Sequence, residues 1–246
     1  FGDNGTFNGQ ETAGGNSDED GNGDFYHSVP SGYKMLIEEN MADPGIPRPD
    51  LVWIKNRDAT DSHQWYDSSR GPQKDLQTDA TNQETTTYDG LQKFMNGGFE
   101  IEDDVSVNTD SEGYVAWNWV CNGGAETANT DSTPDLASTI QANANAGFSI
   151  VQWTGDGGQS TVAHGLSSAP EIVIQKNLDS TSNWWFYTTA IDGSYDYLKL
   201  DTTDLKSDYA QDAPTNTLFT SHGWGSTSMI AYCWHSVDGF SKFGSY

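Results

Sequence analysis

The sequence predicts an all-β protein built from two related antiparallel β-sandwich-like units in tandem, with short helical turns. Three observations carry this reading. Nine Trp, eleven Tyr and ten Phe accompany 26 Gly in 246 residues. That balance suits pleated strands and tight turns and leaves few long aliphatic residues for a helical bundle. Apolar and polar residues alternate with period two over short runs closed by Gly, Asn, Asp and Ser. The chain also resembles itself, segment by segment and in order.

Taken along the chain, strands are predicted at residues 51–56, 64–67, 99–102 and 114–121. A second series follows at 148–154, 161–164, 171–176, 184–188, 197–200, 218–220 and 229–235. Each is short, alternating and bounded by turn residues. Residues 33–41, 91–95 and 138–144 read as helical turns. Residues 122–145 are rich in Gly, Ala, Asn and Thr, a linker composition.

The self-match starts where Pro49-Asp50-Leu51-Val52-Trp53-Ile54-Lys55-Asn56 aligns with Pro170-Glu171-Ile172-Val173-Ile174-Gln175-Lys176-Asn177, an offset of 121 residues. It runs without a gap to Tyr66 and Tyr187. Phe94 with Gly98-Phe99 then matches Phe219 with Gly223-Trp224, and Val115-Ala116-Trp117-Asn118-Trp119 matches Ile230-Ala231-Tyr232-Cys233-Trp234. The offset changes between these blocks, so the length differences fall in loops over a retained sheet.

Charge and composition exclude several classes. Eleven basic against 36 acidic residues give a formal charge of −25, so no electrostatic term favours phosphate backbones or anionic bilayers. No nucleic-acid partner and no membrane insertion are expected, since no run approaches the roughly 20 apolar residues of a span. A chain that opens on Phe1 instead of Met is expected to be a mature, cleaved or partial product. Cys121 and Cys233 are too few for a disulfide scaffold or a four-thiolate zinc site. In the alignment they fall opposite Ser236 and Asn118, positions of opposite parity in separate repeats, and are predicted to be unbridged.

Residues 146–246 carry a more specific pattern. The run Ala146-Gly147-Phe148-Ser149-Ile150-Val151-Gln152-Trp153-Thr154-Gly155-Asp156-Gly157 is followed by His164-Gly165-Leu166, Ala169-Pro170, Lys176-Asn177-Leu178-Asp179 and Tyr232-Cys233-Trp234. The chain then closes on Gly239-Phe240-Ser241-Lys242-Phe243-Gly244-Ser245-Tyr246. This resembles a repeat common in tail-fibre-like proteins of marine phages. Residues 49–124 look like a second copy without the opening Gly-Phe-Ser hairpin. Phe25-Tyr26 and Pro30-Ser31-Gly32-Tyr33-Lys34-Met35-Leu36 are similar to the closing strand of a SPRY-like, concanavalin-like domain. The expected organisation is 1–48, the tail of such an upstream domain and a linker; 49–124, the first repeat; 125–145, a linker; and 146–246, the second repeat.

Few constellations carry chemistry. Asp18, Asp20 and Asn22 before Gly23, with Asp24 beside them, place oxygen ligands as the first half of a calcium loop does. Val29 stands where the bidentate Glu belongs, so the stretch reads either as a solvated Gly/Asp turn or as a non-helical calcium site. Calcium is the one cofactor considered. Glu100, Glu102, Asp103, Asp104, Asp110 and Glu112 crowd an insertion peculiar to the first repeat; such carboxylates can hold a cation or meet a basic partner, and the simpler reading is a hairpin solubilised by charge and guarded at its edge. His164 in His-Gly-Leu reads as a side chain bonded to backbone at a strand end. No Gly-x-Ser-x-Gly elbow or other motif with catalytic mechanics is present, so no enzyme activity is expected.

The aromatic residues discriminate better. Trp65 aligns with Phe186 and His63 with Trp184, which predicts a shared core-facing side. Trp117 and Trp119, opposite Tyr232 and Trp234, read as core, and Trp224 as packing. Gln64 aligns with Trp185, and a position that is polar in one repeat reads as solvent-accessible. Trp185 is therefore the candidate glycan-stacking platform or subunit contact, with burial against the neighbouring unit as the alternative. The resemblance implies a virion fibre or spike protein, adhesive towards a host-surface glycan. It would act in the virion as a homo-oligomer, with threefold symmetry the commonest in such fibres, among other virion proteins. Capsid decoration or fibre scaffolding without receptor contact, and a polysaccharide-degrading tail enzyme segment, are the alternatives.

Overall fold

The computed structural model describes residues 47–130 and 132–245. The fold below is that of the compact unit formed by residues 48–94 and 98–246. The acidic loop at Asp18, Asp20, Asn22 and Asp24, and the turn expected at residues 33–41, lie outside the described residues.

Among the described residues the protein is all-β, without helices. The first repeat supplies β1 (Leu51–Asn56), β2 (Gln64–Asp67), β3 (Lys74–Gln77), β4 (Thr85–Thr86), β5 (Leu91–Met95), β6 (Gly98–Ile101) and β7 (Tyr114–Trp119). Next come β8 (Thr127–Ala128), β9 (Ser138–Asn143), β10 (Phe148–Thr154), β11 (Thr161–Ala163), β12 (Ile172–Asn177) and β13 (Trp185–Thr188). The chain finishes with β14 (Asp196–Lys199), β15 (Ser207–Asp208), β16 (Leu218–Thr220) and β17 (Ser228–Trp234). A five-stranded sheet runs β4-β3-β2-β1-β7 and an eight-stranded sheet β15-β14-β13-β12-β17-β10-β9-β8, while β5-β6 and β11-β16 form two-stranded ribbons.

The internal duplication is reproduced residue for residue in the pairing. Leu51 lies opposite Trp119 and Asp67, and Ile172 opposite Trp234 and Thr188. The register continues outward, with Lys74 opposite Thr86 and Asp196 opposite Asp208. Loop contacts repeat as well. Asn56 Oδ1 accepts from the backbone N–H of Asp58 and Ala59, as Asn177 Oδ1 does from Asp179 and Ser180. Asp58 Oδ2 accepts from Gly113 N and Asp179 Oδ2 from Ser228 N. These side chains close each strand end by satisfying backbone donors that the ladder leaves unpaired.

Period-two alternation sorts the core into layers. Leu51, Trp65 and Leu76 of the first sheet meet Phe148, Ile150, Ile174, Ile230, Tyr232 and Trp234 of the second in one buried cluster. Each repeat thus contributes one layer to a shared sandwich. The opposite face of the large sheet packs Val151, Trp153, Val173, Tyr187 and Phe219, and that of the small sheet packs Val52, Ile54, Tyr66, Leu91 and Phe94. Cys121 belongs to the inner cluster and Cys233 to the outer one; both thiols are free and buried, as their opposite parity predicts.

Three expectations are corrected. Residues 125–145 are not a linker, because β8 and β9 pair in register onto β10 and extend its sheet. Polar side chains there sit on the last two strands at one end of the sheet, and this imitates a linker composition. Leu91–Met95 is a strand, and the turn expected at 138–144 is the strand Ser138–Asn143, since partners across the ladder outweigh weak local preference. β3, β4 and β15 carry too few apolar residues to announce themselves. Gly147, at a φ of 66°, sets the entry to β10: a Cβ there would stand 2.6 Å from the His235 carbonyl oxygen.

Candidate functional site

Trp185 stands on the outer face of the large sheet, between Gln175 on β12 and Lys199 on β14. Its indole is half-buried and belongs to an aromatic surface. The His222 imidazole stacks on it at 4.0 Å, Tyr197 lies 5.1 Å away, and the Lys199 ammonium sits 5.5 Å from the ring centre. Trp224 packs on the far side of His222 at 4.4 Å.

His222 is held once through its backbone and once through its ring. Gln175 Oε1 accepts from His222 N at 2.8 Å, and His222 Nδ1 lies 2.7 Å from the Tyr187 hydroxyl. Burial pulls the His222 pKa down to about 4, so the ring is neutral at physiological pH. Burial also raises the Tyr187 hydroxyl, with Tyr209 and Tyr195 adding to that shift. This pair therefore holds a shape and has no proton to trade near neutrality. At the rim, Gln159 Nε2 donates to the Tyr209 hydroxyl at 2.9 Å. Half-buried indole and phenol rings edged by an amide, a phenol and an ammonium can stack on apolar ring faces and bond to hydroxyls.

Gln64 occupies the equivalent place on the small sheet, and there the expectation of solvent access fails. Gln64 is buried. The insertion peculiar to the first repeat folds over it and drives Val107 into the cluster of Val52, Tyr66 and Phe94. With its amide nitrogen turned towards Asp75 Oδ2 at 3.2 Å, Gln64 accepts from the Ser106 hydroxyl. The acidic residues of the insertion have separate duties. Asp104 Oδ1 caps Ser106 N, and Glu112 accepts from the Asn56 amide at 2.5 Å. Glu102 and Asp103 gather with Asp89, their oxygens within 4.8 Å, all exposed to water.

His164 is fully buried, with Nδ1 accepting from Leu166 N and Nε2 3.1 Å from the Thr215 carbonyl oxygen, the backbone role its sequence context predicts. Trp224 packs at the edge of the outer cluster, as predicted, and leaves part of its ring open to solvent beside His222. Trp117 is not core: it is 43% exposed, 5.1 Å from the half-buried Trp53, on the inner face of the small sheet. Its counterpart Tyr232 is completely buried. Both are aromatic, so residue type gave no signal of the difference, which arises from how the sheets are staggered.

No curated protein and no solved structure matches the chain. One family model covers residues 42–246, the whole described region included. On that match the chain belongs to the family described as a domain of unknown function, DUF7483.

Proposed function

We propose that this chain is a structural, adhesive segment of a phage virion fibre or spike, and that the aromatic surface around Trp185 meets a host-surface glycan. The observation that supports it is the half-buried Trp185 of β13 joined by the half-buried loop residues Tyr209 and Trp224, with Gln159 and Lys199 at the rim. Sugar recognition combines ring stacking with hydroxyl bonding on a preorganised surface, and fixing these rings beforehand lowers the entropy lost on contact. A net charge of −25 selects against anionic polysaccharide, so the expected ligand is a neutral or amino glycan. The closing Phe-Ser-Lys-Phe-Gly-Ser-Tyr pattern of the second repeat supports a place in the particle.

The test is retention of the purified chain on host cells and on immobilised envelope glycan. Trp185→Ala and Trp224→Ala should each weaken retention roughly tenfold while far-ultraviolet circular dichroism stays unchanged. Retention of both variants equal to the parent would remove the site. Release of reducing ends from the glycan would replace adhesion with hydrolysis.

A further inference from the structure

The two repeats pack on one another through unlike surfaces. Residues 67–84 of the first repeat seat on the inner face of the second. Trp184 Nε1 donates to the Gln77 carbonyl at 2.7 Å, and Lys176 Nζ and Ser182 N donate to the Thr81 carbonyl at 3.0 and 2.9 Å. Glu84 N donates to the Leu178 carbonyl at 3.0 Å, and the Tyr232 hydroxyl to Asp67 Oδ2 at 2.7 Å. The receiving side chains Lys176, Trp184 and Tyr232 are each 0% exposed.

By the shared registers, the first repeat has the same receiving surface: Lys55, His63 and Trp117 occupy the positions of Lys176, Trp184 and Tyr232. None of these is buried. Lys55 and His63 are half-buried and Trp117 is 43% exposed. The Lys55 ammonium turns back onto the Asn56 and Ala59 carbonyls of its own repeat, and His63 Nδ1, although the residue as a whole is half-buried, is a covered atom with no hydrogen-bond partner among the described residues. The second repeat likewise keeps the seating loop. Lys199, Thr203 and Lys206 correspond to Gln77, Thr81 and Glu84, without a gap between the flanking strands. Thr203 and Asp204 are exposed, and Phe186 and Leu198, counterparts of the buried Trp65 and Leu76, are only half-buried, with Phe243 packed beside Phe186.

We infer that chains associate head to tail. The second repeat of one chain seats its loop around Thr203 on the Trp117 face of the next, as residues 67–84 seat on the second repeat within a chain. The donors match: Lys55 Nζ and the Asp61 backbone N–H stand where Lys176 Nζ and Ser182 N meet the Thr81 carbonyl, so the Thr203 carbonyl is their acceptor. His63 stands where Trp184 donates to Gln77, so the Lys199 carbonyl comes to lie over the His63 side chain. A contact between unlike surfaces repeats, closing into a ring or running on as a filament. The association is independent of any glycan at Trp185.

The experiment uses the whole chain and two variants that change exposed positions, Trp117→Asp on the receiving face and Thr203→Arg on the loop. Sedimentation is measured near 1 M salt, where a screening length of about 3 Å removes the repulsion between acidic chains. The parent should gain mass with concentration, and each variant alone should associate at least about 100-fold more weakly. Mixed together, the variants should form a one-to-one dimer, since each supplies the surface the other lacks. A parent that stays monomeric overturns the inference. So do variants that associate like the parent, or a mixture that forms no dimer, which is what a contact between like surfaces gives. A monomeric parent whose retention on neutral glycan is lost in Trp117→Asp would assign this face to sugar instead.

Discussion

Glu84 and Lys206 stand at the same place in the two repeats with opposite charge. Lys206 Nζ lies 2.9 Å from Asp196 Oδ1, and Lys74 Nζ, at the position of Asp196, lies 3.4 Å from Glu84 Oε1. The register that aligns them pairs Lys74 with Thr86 and Asp196 with Asp208. Attraction depends on the product of the charges, so reversing both preserves the contact while the residue types change. The partners around it differ accordingly: Arg70 joins Glu84 at 3.4 Å, and Lys206 is also shared with Asp192 at 2.6 Å and Asp208 at 3.1 Å.

Asp196 is fully buried, so its cation matters more than a surface ion pair would. Lys206→Met should lower the thermal midpoint, because the Asp196 carboxylate is left without its ammonium. Adding Asp196→Asn should restore most of the loss. Additive single effects in the double-mutant cycle would contradict this coupling.

The contact between the repeats rests on Trp65, which packs 5.6 Å from Trp184 and 4.9 Å edge-on to Tyr232. Trp65→Ala should cost about 3–5 kcal/mol by opening a cavity, and Tyr232→Phe about 1.5–3 kcal/mol by deleting one hydrogen bond to the Asp67 carboxylate. Urea unfolding measures both. Two separated transitions in the parent would show that the repeats fold independently, against a single shared core.

Burial pushes the Asp75 carboxyl up to about 6, with Arg70 pulling the other way and Asp104 adding to the rise. The folded state therefore holds a proton that the unfolded chain releases. The stability this group contributes is full below its ordinary value near 3.8 and is lost as pH rises through about 6. Asp75→Asn should then be more stable than the parent by about 3 kcal/mol near neutral pH, and equal to it by about pH 3.5. Thermal scans across that window check the sign: an advantage that grows towards acid would refute it.

Both thiols are raised well above their ordinary range by burial, with the Asp50 carboxylate adding to the shift at Cys121. Neither should react with a thiol reagent in the native state faster than the chain opens. Labelling followed by mass spectrometry should find both sites modified together in denaturant. Rapid native labelling of Cys233 would contradict its burial.

The strands Leu51–Asn56 and Ile172–Asn177, and the matching turns at Asn56 and Asn177, were legible because alternation and turn chemistry act over a few residues. The same local patterns correctly placed Cys121 and Cys233 on opposite faces and His164 at a strand end. Internal alignment went further, since one register serves both repeats. What alignment could not supply was the contact between them. Trp117 and Tyr232 hold equivalent positions and are both aromatic, yet one is 43% exposed and the other fully buried. Gln64 and Trp185 differ for the same kind of reason, one lying beneath an insertion that the other lacks. Strand formation and side-chain parity follow from nearest neighbours along the chain, so the sequence determined them. Which equivalent face is covered depends on how two sheets stagger across a shared core, a relation between residues more than a hundred positions apart, and only the tertiary structure decided it.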